Sequence, residues 1–301
     1  MFTVSYPELV MAQCNSGIVG SFPSLNARSP EILDEWLSQI NKNLNSQRAS
    51  NFGKKIGPFA VNLILHSSNK RLSIDFSLCV RHRVPIYITS LSAPPIEMID
   101  EIHSYGGIVL HDVINIRHAS KAIEAGVDGL ILVAAGAGGH AGSLSPFAIC
   151  GEVRQIFDGP IILSGAISTG SSVLAAQAMG ADFAYVGTRF IASQESAVSE
   201  KYKEAIVEAK SSDIVYTDYF TGVYGNYLSQ SIINAGIDLD GFRMASKATI
   251  QDLNLDIDST VKPWKDIWGA GQGVGLINDV PTVNQIIERM KLEYVAAKKS
   301  L

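Results

Sequence analysis

A strand–helix unit repeats along the chain from about residue 56 to residue 190. In each unit a short apolar, β-branched run leads into a polar or glycine-bearing turn, an amphipathic helix and then the next run. The runs are continuously apolar rather than alternating, which is typical of parallel strands covered on both faces. They lie at residues 59–65, 84–91, 107–114, 129–135, 160–167 and 183–190, with an earlier run at 17–22. The repeat predicts an α/β protein built from right-handed crossover units.

Glycines mark the ends of the helices between these runs. Gly106, Gly126 and Gly180 each follow a helical segment and suit the left-handed conformation of a C-cap. Because the repeat is regular and further glycines lie at the carboxyl ends of the strands, it favours a (β/α)8 TIM barrel over an open doubly wound sheet.

The first strand of such a barrel is short of residues. Residues 6–15 look like the first barrel helix, so only residues 1–4 remain for strand one. We therefore expect a barrel whose first strand is truncated. We also expect the natural or ancestral protein to carry about twenty further residues upstream, the length of one strand and its lead-in.

The pattern changes after the last apolar run. Residues 1–194 are predicted to form the barrel, and residues 195–262, which are more polar and rich in Tyr and Gly, an insertion after the eighth strand. Such an insertion is expected to fold over the barrel mouth as a lid. Residues 263–301 are predicted to return to the mouth and to end in a closing amphipathic helix over 282–297.

Composition excludes some classes of partner and site. The 301 residues are 47% hydrophobic and carry a net charge of −5, so no basic footprint for nucleic acid or an anionic membrane is present. No secretory signal pattern or membrane-length apolar run occurs. Cys14, Cys79 and Cys150 lack metal-ligand spacing, which predicts no metal site and indicates reduced packing residues in a cytoplasmic protein.

Glycine-bearing turns follow the last two predicted strands. Loops at these two places commonly bind phosphate in such barrels, through bare backbone amides. The candidate phosphate-binding residues are Ser164, Gly165, Gly170, Gly187 and Thr188. Helix caps and tight corners would also explain these glycines.

A third glycine-rich turn, "AGAGGHAG" at residues 135–142, carries a histidine. Its spacing differs from the dinucleotide-binding fingerprint. Glycines on both sides would let a large flat ring system lie against the backbone, with His140 facing the substrate. Imidazole titrates near neutrality and can take a proton from carbon. The alternative is a surface histidine in a flexible loop.

Four motifs in order, "NSGIVGSF", "AAGAGGHAG", "LSGAISTG" and "GADFAYVGTRF", resemble the nitronate monooxygenase family, formerly called 2-nitropropane dioxygenases. The resemblance covers nearly the whole chain and implies an FMN-dependent TIM-barrel enzyme. It makes His140 the catalytic base. The cofactor-binding residues that it implies are Met1, Asn62, Gly138, Gly139, Gly165, Gly187 and Thr188, with Met1 as the last residue of a flavin-contacting A-P-M motif.

The reaction implied by the resemblance is oxidation of an alkyl nitronate, such as propionate 3-nitronate, by O2 to a carbonyl compound and nitrite. The partners are then a small nitronate or nitroalkane and O2, and a homodimer is possible. Two alternatives remain open: an FMN-dependent enoyl or NAD(P)H:quinone reductase with the same glycine–histidine loop, and a non-catalytic barrel that binds flavin or another phosphorylated ligand.

Two further residues are weaker candidates for lining the substrate pocket. His111 either faces the barrel interior near the substrate or is a packed core ring. Gln272, in "GAGQG", either lines the pocket from the returning segment or forms a structural turn.

Overall fold

The computed structural model describes residues 1–51, 53–239 and 266–301. Part of the predicted lid, residues 240–262, and the start of the predicted return segment, residues 263–265, lie outside the described residues.

Ten strands are formed by the described residues. They are β1 Gly20–Pro23, β2 Phe59–Leu65, β3 Ile86–Leu91, β4 Ile108–Val113, β5 Gly129–Val133, β6 Gly139–His140, β7 Ile161–Ser164, β8 Phe183–Tyr185, β9 Ile214–Thr217 and β10 Gly225–Leu228. Seven of them pair in parallel, in the order β1-β2-β3-β4-β5-β7-β8, and curl into a TIM-barrel-like α/β fold, which confirms the predicted fold class. The other three form a small antiparallel sheet in the order β6-β10-β9.

Side chains of the two outer strands of the curled sheet contact each other. The hydroxyls of Ser21 on β1 and Tyr185 on β8 lie 3.1 Å apart. The first residues of the chain lie on this side of the sheet. The Asn26 amide donates to the carbonyl oxygens of Met1 (3.0 Å) and Ser5 (2.8 Å), while the Met1 side chain lies beside Gly187, just after β8.

Helices follow most of the parallel strands. They are α1 Pro7–Asn15, α2 Pro30–Ser50, α3 Leu72–Arg81, α4 Ile96–His103, α5 Ile116–Ala125, α6 Pro146–Arg154, α7 Gly170–Ala178, α8 Thr188–Ile191, α9 Glu200–Glu208, α10 Ser229–Asn234 and α11 Val283–Ser300. Gly106, Gly126 and Gly180 have φ of +83°, +88° and +98°, as predicted for residues that end helices. Within the described chain, no helix has the length and apolar character needed to cross a bilayer.

All the parallel strands except β1 present alternate residues to two different cores. Between sheet and helices lies the larger core, which includes Val109 and Val113 of β4. Inside the curl lies a smaller one of Ala60, Ile88, Ile131 and Ile162, with Leu110 packed against it. Because side chains alternate along a strand, the position of one residue in either core fixes the direction of its neighbours.

Two local predictions are corrected. The apolar run predicted as one strand over 183–190 ends at Tyr185, and Thr188–Ile191 form a helical turn instead. The backbone turns at Gly187, so the apolar residues after it continue into a buried turn rather than the sheet. The antiparallel pairing of Gly139–His140 with β10 was not predicted, because a two-residue strand has no periodicity of its own.

Candidate active site

Polar side chains face inward at the carboxyl ends of neighbouring parallel strands. Asn62 Nδ2 donates to Ser90 Oγ (2.6 Å), and Ser90 Oγ donates to Asp112 Oδ2 (2.7 Å). Further round the curl, Ser164 and Tyr185 take the equivalent inward positions. All five side chains are only partly exposed. We call Asn62, Ser90, Asp112, Ser164 and Tyr185 the polar ring.

Asp112 is the charged member of the polar ring. Its Oδ1 atom is buried and has no hydrogen-bond partner among the described residues. Burial raises the pKa of the carboxyl to about 6, against the opposing effect of the Ser90 hydrogen bond. Burial also raises the pKa of Tyr185 to about 12, with a contribution from the nearby Asp112 charge. Asp112 is not among the site residues predicted from the sequence, although strand alternation from Leu110 gives the signal that places it inside.

His111 does not line the mouth, so its candidate role as a substrate-lining residue is corrected. The residue points away from the curl, on the same side of β4 as Val109 and Val113. Its Nδ1 atom is 2.8 Å from the Thr89 hydroxyl, and the residue is 2% exposed. Burial, with a smaller effect of His118, lowers the pKa of His111 to about 4. His111 is therefore a packed, uncharged ring of the sheet–helix core.

The turns after β7 and β8 lie at the same edge. Gly165 has φ of +133° and is packed against the carbonyl of Ala135. The backbone amides of Gly187 and Thr188 donate to no acceptor among the described residues. The Thr188 hydroxyl, by contrast, accepts a hydrogen bond from the Gly271 amide at 2.9 Å. Of the predicted phosphate donors in this turn, the amides therefore remain available, while the hydroxyl also holds the return segment by accepting from it.

Gly170 lies elsewhere, which corrects its predicted role in the phosphate-binding turn. It begins α7, and its amide donates to Glu293 of α11 at 2.7 Å. A Cβ atom at Gly170 would lie 1.9 Å from the Met290 carbonyl oxygen. The glycine is required by close packing of two helices, and its amide already has an anionic acceptor.

The glycine-rich loop after β5 is crossed by the return segment. A Cβ atom at Gly138 would lie 2.8 Å from the Gly271 nitrogen, and one at Gly271 would lie 2.5 Å from the Gly136 oxygen. Gln272 donates its amide to the same Gly136 oxygen at 2.9 Å, and its exposed side chain lies beside Gly136. Close backbone contact therefore accounts for Gly138 and Gly271, whereas Gly136 has a positive φ of +86°, and the crossing places Gln272 at the carboxyl edge of the sheet.

His140 is held at this edge by the small sheet. The Gly142 amide bonds back to the Val133 carbonyl at 3.0 Å, so the loop starts and ends at the carboxyl end of β5. His140 pairs with Gly225 of β10. Its Nε2 atom is 2.9 Å from the Thr221 hydroxyl oxygen. The side chain is accessible to solvent, yet desolvation by the surrounding protein lowers its pKa, so the ring is uncharged at neutral pH.

Comparison with known proteins shows the family to which this chain belongs. The family model described as nitronate monooxygenase matches residues 35–293. The chain belongs to this family. A probable nitronate monooxygenase of Staphylococcus haemolyticus is 21% identical over 287 residues, which cover 90% of this chain and 76% of that protein.

Two further known proteins are similar to this chain and carry other names. A (3aS,4S,5R,7aS)-5-hydroxy-7a-methyl-1-oxo-octahydro-1H-indene-4-carboxyl-CoA dehydrogenase of Rhodococcus jostii is 27% identical over 232 residues, which cover 77% of this chain and 62% of that protein. The structure of FabK from Thermotoga maritima is 27% identical, with a TM-score of 0.79 over all of this chain and 92% of that one. The protein is a flavin-dependent oxidoreductase of the nitronate monooxygenase family.

Proposed function

We propose that this enzyme is an FMN-dependent nitronate monooxygenase that oxidises small alkyl nitronates, such as propionate 3-nitronate, with O2 to a carbonyl compound and nitrite. The observation that carries the proposal is His140, an imidazole with a lowered pKa fixed at the carboxyl edge of the parallel sheet. A base at this place, in a member of this family, suits the removal of a proton from carbon.

The residues at the mouth fit FMN. The amides of Gly187 and Thr188 supply donors for a phosphate, and the turn at Gly165 lies at the same edge of the sheet. Asn62 and the unpartnered Oδ1 of Asp112 place polar atoms inside the curl. These atoms could form hydrogen bonds with the polar edge of a flavin ring. Ser164, Gly139, Gly138 and Met1 are proposed to complete the cradle. FMN, when bound, would supply the electron acceptor and the reaction with O2.

The protein's own contribution to the reaction is proton transfer and orientation. With a neutral nitroalkane, His140 takes the proton from the α-carbon, and the electron pair of the broken C–H bond passes into the nitro group to give the nitronate. A nitronate offered as the substrate already lacks this proton. The base is therefore required for one substrate form and not for the other.

We also propose that the described part of the predicted lid, residues 195–239, faces the substrate. In the described part of this segment, β9, β10 and the turn between them lie against the His140 loop. The three cysteines are free and buried, which supports a reducing compartment such as the cytoplasm.

The test is a visible absorption spectrum of the purified protein, followed by nitrite assays under O2. We expect a flavin spectrum whose released cofactor is FMN, and nitrite formation from both neutral nitroalkanes and preformed nitronates. A flavoprotein that forms no nitrite from either substrate would contradict the proposal.

A second candidate function is an enoyl or NAD(P)H:quinone reductase. It is favoured by the similarity to FabK from Thermotoga maritima, which is 27% identical with a TM-score of 0.79 over all of this chain. Anaerobic mixing with NADH or NADPH separates the two candidates. Prompt bleaching of the flavin supports the reductase, and an unchanged spectrum supports the monooxygenase.

A further inference from the structure

We propose that the carboxylate of Asp112 lowers the reduction potential of the flavin bound at the mouth of the curl. The inference rests on the flavin site of the proposed function, and not on which substrate is oxidised. The reduction potential can be measured without any turnover.

The inside of the curl carries one carboxyl group and no basic side chain, as far as the described strands show. Its inward positions follow by alternation from the inner core residues Ala60, Ile88, Ile131 and Ile162. At these positions the side chains are either apolar or members of the polar ring, and Asp112 is the one carboxyl among them. A group bound at the mouth therefore meets a negative charge that no Lys or Arg of these strands balances.

A chain of hydrogen bonds fixes the Asp112 carboxyl. Asn62 Nδ2 donates to Ser90 Oγ at 2.6 Å, and the hydroxyl of Ser90 donates its single proton to Asp112 Oδ2 at 2.7 Å. One carboxyl oxygen is thereby held, while the buried Oδ1 has no hydrogen-bond partner among the described residues. The side chain is thus held with an unsatisfied oxygen, and its charge acts from a fixed place.

The other titratable groups that act on Asp112 are uncharged at pH 8. Burial raises the pKa of Tyr185 to about 12 and lowers the pKa of the Met1 amino group to about 5. Ser90 and Asn62 do not titrate. Because the pKa of Asp112 is about 6, its carboxyl is ionised at pH 8 and mostly protonated at pH 5.

A fixed carboxylate opposes the reduction of a flavin beside it. Reduction brings electrons, and hence negative charge, into a site where the surrounding protein screens charges less than water does. The carboxylate therefore lowers the reduction potential, and protonation of Asp112 removes this effect. A lower potential also eases the transfer of electrons from the reduced flavin to O2.

The test is an anaerobic titration of the flavin-loaded protein, with dithionite as the reductant and a dye of known potential as the reference. At pH 8 and a fixed potential, Asp112→Asn should raise the ratio of reduced to oxidised flavin about tenfold, the scale of one charge acting through a protein interior. At pH 5 the two proteins should differ little, because the parent carboxyl is then mostly protonated. His140 and the Met1 amino group are common to both proteins, so the difference isolates Asp112.

Two further variants sharpen the test. Asp100→Asn removes the same charge from an exposed position of α4, where solvent screens it, and should leave the ratio unchanged. Ser90→Ala removes the hydrogen bond that lowers the pKa of Asp112, so the extra rise of the potential on acidification should begin at a higher pH than in the parent. This pH profile tests the proposal even if Asp112→Asn does not fold.

A ratio in Asp112→Asn equal to or lower than that of the parent at pH 8 would overturn the proposal, as would a parent protein that binds no flavin. If the ratio changes as expected but neither nitroalkanes nor nitronates yield nitrite, the proposed reaction fails and the role of Asp112 stands.

Discussion

The parallel sheet and the small antiparallel sheet each supply part of the candidate site, but they hold their residues differently. In the parallel sheet, alternation along each strand decides which side chain joins the polar ring, and the core on the other face holds the strand in place. In the small sheet, His140 sits on a two-residue strand held by partners more than eighty residues away. The charge state of a buried strand residue is therefore linked to the stability of the protein. The charge or identity of the side chain at position 140, by contrast, can change with little effect on the fold.

The largest expected effect tests the small sheet. His140→Gln should reduce kcat for neutral nitroalkanes by about 10²–10⁴-fold, because the proposed general base is lost. Preformed nitronates should still react, and the flavin content should not change. Steady-state nitrite assays with the two substrate forms measure the difference.

His103→Gln is the matched control, since His103 pairs with Asp128 at the other end of the sheet. The parent enzyme should lose activity on neutral nitroalkanes only as pH falls below the ordinary histidine range, because the pKa of His140 is lowered. If His140→Gln destabilises the protein as much as a core substitution does, the contrast between the two sheets is lost.

The next effect tests the parallel sheet, where His111 is uncharged in the folded state. Its pKa falls from 6.5 to about 4 on folding, so the folded protein binds this proton less readily than the unfolded chain. The stabilisation is therefore complete above pH 6.5 and is lost as pH falls toward 4, by up to roughly 3 kcal/mol. Urea unfolding of the parent and of His111→Gln across this range should show the parent losing stability relative to the variant.

Asp112, the next residue along β4, should behave in the opposite way. Its pKa rises from 3.8 to about 6 on folding, so the stabilisation of its protonated form is lost as pH rises through this window. Relative to Asp112→Asn, the parent should become less stable as pH increases from 4 to 6. The same sign of pH dependence for both variants would contradict desolvation as the main cause of at least one of the two pKa shifts.

A smaller effect tests the junction between the return segment and the parallel sheet. A Cβ atom at Gly273 would lie 2.8 Å from the Ala166 oxygen and 2.5 Å from Ser168 Oγ, and the first of these is backbone that cannot move aside. Gly273→Ala should lower the free energy of unfolding by about 1–3 kcal/mol. Gly275→Ala is the control, because its nearest neighbour would be 3.5 Å away. Equal stability of the two variants would show that the crossing is looser than described.

The smallest effect concerns the turn after β7. Ala166 has φ of +55°, a left-handed conformation that disfavours any residue with a Cβ atom. Ala166→Gly should stabilise the protein slightly, by at most about 1 kcal/mol, since relief of strain is partly offset by the greater freedom of the unfolded chain. Ala176→Gly, inside α7, should be destabilising instead. Thermal unfolding of the two variants measures the opposite signs.

Much of the fold could be predicted because it depends on local patterns. The apolar runs at 59–65 and 107–114 contain β2 and β4, and helix ends follow from the glycines at 106, 126 and 180. The prediction of one strand over 183–190 was wrong, because apolar residues that enter a buried turn look the same in sequence as residues of a strand. The candidate site was harder to predict. Glycine is required at position 170 because its amide and backbone pack against α11, which lies more than a hundred residues away in sequence.

Periodicity and short motifs are local properties of the chain. They are therefore enough to specify the repeating α/β architecture, the loop that carries His140 and the family to which the enzyme belongs. Three features were visible only in the folded protein. Asp112 rather than His111 faces the inside of the curl, the return segment crosses the glycine-rich loop, and Thr221 contacts His140. The physical reason is that these three facts depend on strand direction and on contacts between segments far apart in sequence, which are set by packing and leave no periodic signal in the chain.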